Sequence, residues 1–224
     1  STVGRGGALL VLIDDFRGGY TLQRWMPGDS VAATVPLPAP EQPRQPGVIV
    51  FAVMAAAPDG SVALARDNTR YRIERFAPDG RATAPITRDI AAPRRTAEEA
   101  EALERIRQRA TARARASRPA SASAPTATKG GTPPARPRPA GDPDLKPHIA
   151  IDGLRFDDAG RLWARTERGD ASSTVFDVFS PTGQYVGEVR LAGSVGAFTF
   201  HGSQMAAAVV TDDGFTVVRV YDVR

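Results

Sequence analysis

The sequence contains no cysteine and only two histidines. The first absence removes disulfides, thiolate metal sites and cysteine nucleophiles, and it leaves the compartment open, because reducing and oxidising spaces both hold cysteine-free proteins. The second leaves little imidazole chemistry. His148 precedes one predicted strand and His201 follows another, so they belong at opposite ends of elements about 17–20 Å long and are not expected to share a metal. No His-x-His or Glu-x-x-His spacing is present, and each is read as a turn histidine with an exposed ring. No apolar run approaches the roughly 18 residues that a membrane span requires, and these residues, which begin at Ser1, include no basic and apolar leader. "GRGG" at 4–7 has no helix after it and is not a phosphate loop. Gly28-Asp29-Ser30 has the look of a hydrolase nucleophile motif but falls in a turn with no histidine nearby. No cofactor is expected.

What is present is a chain of 224 residues whose 42% hydrophobic and 24% charged content is that of a globular protein large enough to bury a core. Its net charge of +4 is unevenly spread. Residues 94–147 hold twelve Lys and Arg against six Asp and Glu, a net of +6, so the rest of the chain sums to −2. That basic segment carries no aromatic side chain among its arginines. A base-stacking platform is therefore excluded, and nucleic acid is not an expected partner beyond phosphate electrostatics. Within the segment, "TAEEAEALERIRQRATARAR" predicts a helix over 96–115. Thr96 and Glu99 have capping-box spacing, and acidic residues come early and arginines late, as the helix dipole favours. Leu103, Ile106 and Ala110 form a thin apolar stripe on it. From Ser117 to Asp144 the composition turns to Pro, Ala, Ser and Thr, with too few large apolar groups to offset the entropy of ordering, and disorder is expected.

With that insertion set aside, a repeat emerges. "YTLQRW" (20–25), "YRIERF" (71–76), "TVFDVF" (174–179) and "TVVRVY" (216–221) each end on an aromatic, preceded by two positions by a polar residue (Gln23, Glu74, Asp177, Arg219) and by three by an apolar one (Leu22, Ile73, Phe176, Val218). Turns with Pro and Gly or Asp follow the first three, at 27–29, 78–80 and 181–183, where Pro presets φ and Gly supplies a positive one. Apolar strands precede each: "ALLVLIDD", "SVALARDN", "RLWARTER" and "QMAAAVVTDD". Upstream of the last three lies one more, in "VIVFAVM", "IDGLRF" and "GAFTF", joined through Gly60, Gly160 and Gly202. The unit is four antiparallel strands, A to D, recurring at the roughly 40–50 residues of a propeller blade. The fold class is therefore all-β: about four blade repeats with one helical insertion. The expected division is residues 1–93 and 148–224 as blades and 94–147 as the insertion. The first repeat is read as lacking strand A and the last as lacking strand D, so the chain is expected to be an open arc of a longer propeller with further blades upstream.

"DDAGRLWARTERGDASSTVFDVFSPTGQYVGEVRLAG" resembles the C-terminal blades of the bacterial six-bladed β-propeller proteins related to the NHL and TolB-like groups. The resemblance implies an exported or lipid-anchored protein, periplasmic or secreted, and it implies no particular activity.

In a blade the B–C and D–A connections open on one face, so equivalent loops converge around the channel mouth. Those loops place Asp14, Asp15, Asp67, Asn68, Glu167, Asp170, Asp212 and Asp213 in an arc with Arg17, Arg70 and Arg168 interleaved. Turn chemistry alone accounts for Asp, Asn and Gly at such positions. A polar ligand or cation site is the alternative, since binding residues concentrate on loops held by rigid scaffolds. Trp25 and Trp163 occupy repeat positions that call for packing between blades. Two functions fit. One is a non-catalytic binding module presenting the loop face to a protein, peptide or glycan. The other is a metal-dependent lactonase- or lyase-like enzyme at the channel mouth, which would need carboxylates or His on inner strands that instead read as apolar. The basic helix, entering and leaving on the loop face, is expected to lie across the mouth as a movable cover.

Overall fold

The computed structural model describes residues 2–3, 9–14, 20–25, 33–37, 52–66, 70–116, 145–170, 172–211 and 213–223. They form separate antiparallel sheets of propeller-blade type, each a meander in which sequence neighbours pair. Blade 1 is β1 (Thr2–Val3), β2 (Leu9–Asp14), β3 (Tyr20–Trp25) and β4 (Ala33–Leu37). Blade 2 is β5 (Val53–Ala56), β6 (Val62–Ala65), β7 (Tyr71–Phe76) and β8 (Ala82–Arg88). The helix α1 (Ala97–Ala116) follows it. Blade 3 is β9 (Ile149–Phe156), β10 (Leu162–Asp170), β11 (Ser173–Phe179) and β12 (Tyr185–Ala192). The last sheet holds β13 (Ser194–His201), β14 (Gln204–Val210) and β15 (Thr216–Asp222). No described helix is long and apolar enough to cross a membrane.

The register repeats as the sequence does. The aromatic that closes each third strand pairs with an apolar residue at the start of the second: Leu9 with Trp25, Val62 with Phe76, Leu162 with Phe179 and Met205 with Tyr221. The turn glycines Gly80 and Gly183 adopt φ of 83° and 89°, the left-handed conformation the hairpins need.

Alternation along the strands gives the blades apolar faces, and successive blades pack through them. Leu22 and Leu37 of blade 1 pack on Val62, Leu64 and Phe76 of blade 2. The other face of blade 2, with Tyr71, Ile73 and Ile86, meets Leu154, Leu162 and Phe179 of blade 3. Blade 3 turns Trp163, Phe176 and Val178 to Phe198, Met205 and Val209 of the last sheet. Trp163 thus packs between blades as expected, while the side chain of Trp25 lies outside the described residues. At about 1.5–3 kcal/mol for each fully buried large side chain, these three interfaces hold the stack together. The rule is simple: the closing aromatic and the residue two before it face the preceding blade, and the residues one and three before it face the following one.

Two differences from the sequence reading concern strand A. The first sheet does have one, since Thr2 and Val3 pair with Leu10 and Leu9; a two-residue strand is too short to show alternation. In blade 2 the described strand A runs on past "VIVFAVM" to Ala56, which pairs with Val62, while residues 48–51 lie outside the described residues. The last sheet has three described strands, and the first and last sheets share none, so no ring closes among the described residues.

Candidate binding face and the ionic cluster beneath it

Of the loop residues named from the sequence, Asp15, Arg17, Asp67, Asn68 and Asp212 lie outside the described residues, as does the segment 117–144. Asp14 is described by its backbone, at the end of β2 opposite Tyr20. Arg70, Asp170 and Asp213 are exposed at the B–C ends of blades 2, 3 and the last sheet, and Glu167 is half-buried there. Asp170 holds its own turn together: Oδ1 accepts from the Ser172 amide at 2.9 Å, the Ser172 hydroxyl at 2.8 Å and the Ser173 hydroxyl at 2.9 Å. Those hydroxyls and amides hold its carboxyl below the usual range. Asp213 accepts from the Thr211 hydroxyl and is lowered for the same reason. Glu167 donates its amide to the His148 carbonyl at 3.2 Å, which ties the B–C loop of blade 3 to the start of its strand A. Among the described residues no three His, Cys, Asp or Glu side chains gather as metal ligands would.

Arg168 leaves the arc altogether. Its side chain turns into the blade 2–blade 3 interface, where Nη2 lies 2.5 Å from Asp177 Oδ1 and Nη1 lies 2.8 Å from Glu188 Oε2. Asp177 has no exposed surface. It is the polar residue two before the closing aromatic, so it faces the preceding blade, and from there Arg88 of β8 reaches it at 2.5 Å. Arg88 also stacks its guanidinium 3.9 Å from the ring centroid of Tyr185 and 5.7 Å from that of Tyr71. In blade 2 the equivalent position, Glu74, pairs with Arg66 at the end of β6 at 2.7 Å. Two repeats therefore use one device: a carboxylate inside strand C neutralised by an arginine from the loop end of strand B. Sequence reading recorded the polar position but missed its burial; the co-occurrence of an acid there with Arg66 or Arg168 was the available signal.

His148, expected to be an exposed turn residue, is buried, with its ring 5.8 Å from that of Tyr71. The neighbouring blade covers it, which no local pattern reveals. His201 is exposed, as expected.

Burial, reinforced by the Asp177 carboxylate, holds the Tyr71 phenol well above its ordinary pKa of 10.0. The folded state thus keeps a proton that the unfolded chain loses. Stability is fully present below about pH 10 and falls above it by about 1.4 kcal/mol per pH unit. Tyr71→Phe is expected to flatten that part of the profile, as measured by urea unfolding between pH 9 and 11. An unchanged alkaline slope would place the titrating group elsewhere.

The helix has the predicted cap: the Thr96 amide donates to Glu99 Oε2 at 2.8 Å and the Glu99 amide to Thr96 Oγ1 at 3.2 Å. Of its apolar stripe, Leu103 is half-buried. Ile106 is 62% exposed, and the side chain of Ala110 lies outside the described residues. What anchors the helix is its neck. Arg94 bridges Leu145, the Lys146 amide donates to the Pro93 carbonyl at 2.7 Å, and Lys146 Nζ meets Glu99 Oε1 at 2.6 Å. The segment between Leu145 and Arg94 is thus held closed at its base, immediately before His148.

At the opposite end of the blades a groove of about 400 Å³ separates blades 2 and 3. Its polar rim is engaged in holding blades together: Arg75 Nη2 donates to the Pro181 carbonyl at 2.5 Å, and Asp158 Oδ2 accepts from the Gly202 amide at 2.6 Å.

No family model matches the sequence, and no curated protein does. Among solved structures, the chain is similar to one from a structural and mechanistic study of two prolyl endopeptidases, concerned with inter-domain dynamics in catalysis and specificity. The two are 12% identical with a TM-score of 0.38, over 99% of this chain and 32% of that one. The chain spans about a third of that protein's length, and a likeness at this level carries no argument about what it does.

Proposed function

We propose that the chain is part of a six-bladed propeller of the NHL and TolB-like kind and acts as a non-catalytic binding module, presenting its B–C loop face to a protein, peptide or glycan. The observation that supports this reading is the Arg88–Asp177–Arg168 cluster. Arg88 and Arg168 reach Asp177 from the loop ends of β8 and β10, and the cluster joins two blades, which would hold their loops at a set spacing. Recognition by loops gains when the loops are pre-ordered, because less freedom is lost on binding. Asp170 and Asp213, each bonded within its own turn, extend the same rigidity to the surface. The test is a screen of the full chain against peptide and glycan arrays, followed by the variant E167K/D170K/D213K. Binders are expected to lose at least about tenfold in affinity to the variant, the effect of reversing several contacting charges. Binders indifferent to it but lost on changing Asp59 and Asp79, at the opposite end of blade 2, would overturn the assignment of the face.

A further inference from the structure

The groove between blades 2 and 3 is walled by turns of two blades that are both described. Pro58 and Asp59 come from the turn joining β5 to β6, Arg75 and Pro78 from the junction of β7 and β8, and Asp158 and Pro181 from the two corresponding turns of blade 3. Those turns are closed by their own backbones. The Ala57 amide donates to the Ser61 carbonyl at 2.8 Å, the Ala77 amide to the Arg81 carbonyl at 2.9 Å and the Asp157 amide to the Arg161 carbonyl at 3.0 Å. Arg75 ties the walls together through the Pro181 carbonyl, and it lies so close to Gly183 that a Cβ there would sit 2.5 Å from Nη1. A cleft held this way is formed before any ligand arrives, and its volume of about 400 Å³ is at the small end of the range for ligand pockets.

Its chemistry is one-sided. Ala57, Ala77, Phe156 and three prolines supply apolar surface, and proline brings no amide N–H. The hydroxyl donors are committed, Ser61 Oγ to Asp59 Oδ1 at 2.7 Å and Thr83 Oγ1 to the Arg75 carbonyl at 3.2 Å. Acceptors remain. Asp59 receives the Ser61 amide, at 2.9 Å, and the Ser61 hydroxyl on the same oxygen, and its Oδ2 has no hydrogen-bond partner among the described residues. Those two bonds hold the carboxyl below its usual range, so it is charged at neutral pH. With Asp158 on the other wall, two carboxylates stand against the single guanidinium of Arg75, a net of −1 among the lining residues. The complement of an anionic, acceptor-bearing and otherwise apolar cleft is a cation that only donates, and an ammonium group has three donors and no acceptor.

We propose that this groove binds a small organic ammonium, its apolar body lodged between the two blades and its N–H groups on the Asp59 carboxylate. The site is at the opposite end of the blades from the loop face, and the inference stands whether or not that face binds a ligand.

The test titrates the whole chain with three compounds that share one ring, cyclohexylammonium, cyclohexanol and cyclohexanecarboxylate, and follows amide chemical shifts by NMR. The ammonium is expected to shift Ser61, Ala77 and Gly160 and to bind about tenfold tighter than the alcohol, the effect of one charged hydrogen bond. Asp59→Asn keeps an oxygen for Ser61 and should bring the ammonium down to the level of the alcohol, whereas E167K/D170K/D213K should leave its binding unchanged. Equal binding of ammonium and alcohol, or tighter binding of the carboxylate, would overturn the cation. Shifts confined to residues away from the groove, or no shifts with any of the three, would overturn the site. Ammonium binding that survives Asp59→Asn would overturn the contact with that carboxylate, and binding lost in the loop-face variant would place the cation on the other end of the blades and overturn the groove.

Discussion

Asp177→Ala is expected to lower the unfolding free energy by about 3–5 kcal/mol, because it leaves two arginines facing each other across an interface from which water is largely excluded. Arg88 and Arg168 are 20% and 23% exposed and both lie 2.5 Å from the same carboxylate oxygen. Asp177→Asn keeps the shape and removes the charge, so it should cost nearly as much. The informative contrast is the triple replacement R88M/D177L/R168M, which exchanges the whole cluster for apolar groups of similar bulk. It is expected to recover to within about 1 kcal/mol of the parent chain or to exceed it, since a buried ion pair is seldom more stabilising than a packed apolar substitute. Urea unfolding at low and high salt decides the matter. A loss below about 1 kcal/mol for Asp177→Ala would show that the cluster is solvated and does not fix the blades. Should the triple variant fold stably yet lose array binding, the cluster would have its role in loop spacing rather than in stability.

Trp163→Ala is the second large effect, also about 3–5 kcal/mol, as for truncation of a large aromatic in a packed core. The ring is 3% exposed and lies 6.2 Å from Phe176 in its own blade and 5.1 Å from Phe200 in the next. Its loss opens a cavity between blade 3 and the last sheet, so amide exchange in β13, β14 and β15 should accelerate more than in blade 2. Trp163→Phe separates packing from polarity. The indole Nε1 donates to Asp157 Oδ2 at 3.0 Å, but Asp157 also accepts from the Arg161 amide at 2.8 Å and from Arg161 Nε at 2.7 Å. The phenylalanine variant should therefore cost only about 1 kcal/mol for the hydrogen bond, plus whatever the smaller ring leaves empty. Uniform acceleration of exchange across all sheets would show that the blades unfold as a unit and that Trp163 has no special part in holding the last one.

The interactions behind these effects differ in how far they could be read in advance. Hairpins at 71–88 and 174–192 were legible because their causes are local: alternation sets the strands, and Gly80 and Gly183 sit where a positive φ is required. The helix start was legible for the same reason, since Thr96 and Glu99 are one turn apart. The packing role of Trp163 followed from the repeat. By contrast, Thr2–Val3 was invisible, because two residues carry no period and a partner in β2 is all that makes them a strand. The burial of Asp177 and of His148 was invisible too. Both look like turn or strand-face polar residues until Arg88 and Tyr71, from another blade, are laid over them. Arg168, grouped with the loop acids by its place in the chain, belongs instead to that buried pair.

The amino-acid sequence by itself thus determined the strand pattern, its four-fold recurrence, the turn geometry and the helix cap, since each depends on residues a few positions apart. Only the tertiary structure decided which polar residues are inside. Those outcomes depend on what the neighbouring blade brings to the interface: an arginine opposite Asp177 and an aromatic over His148.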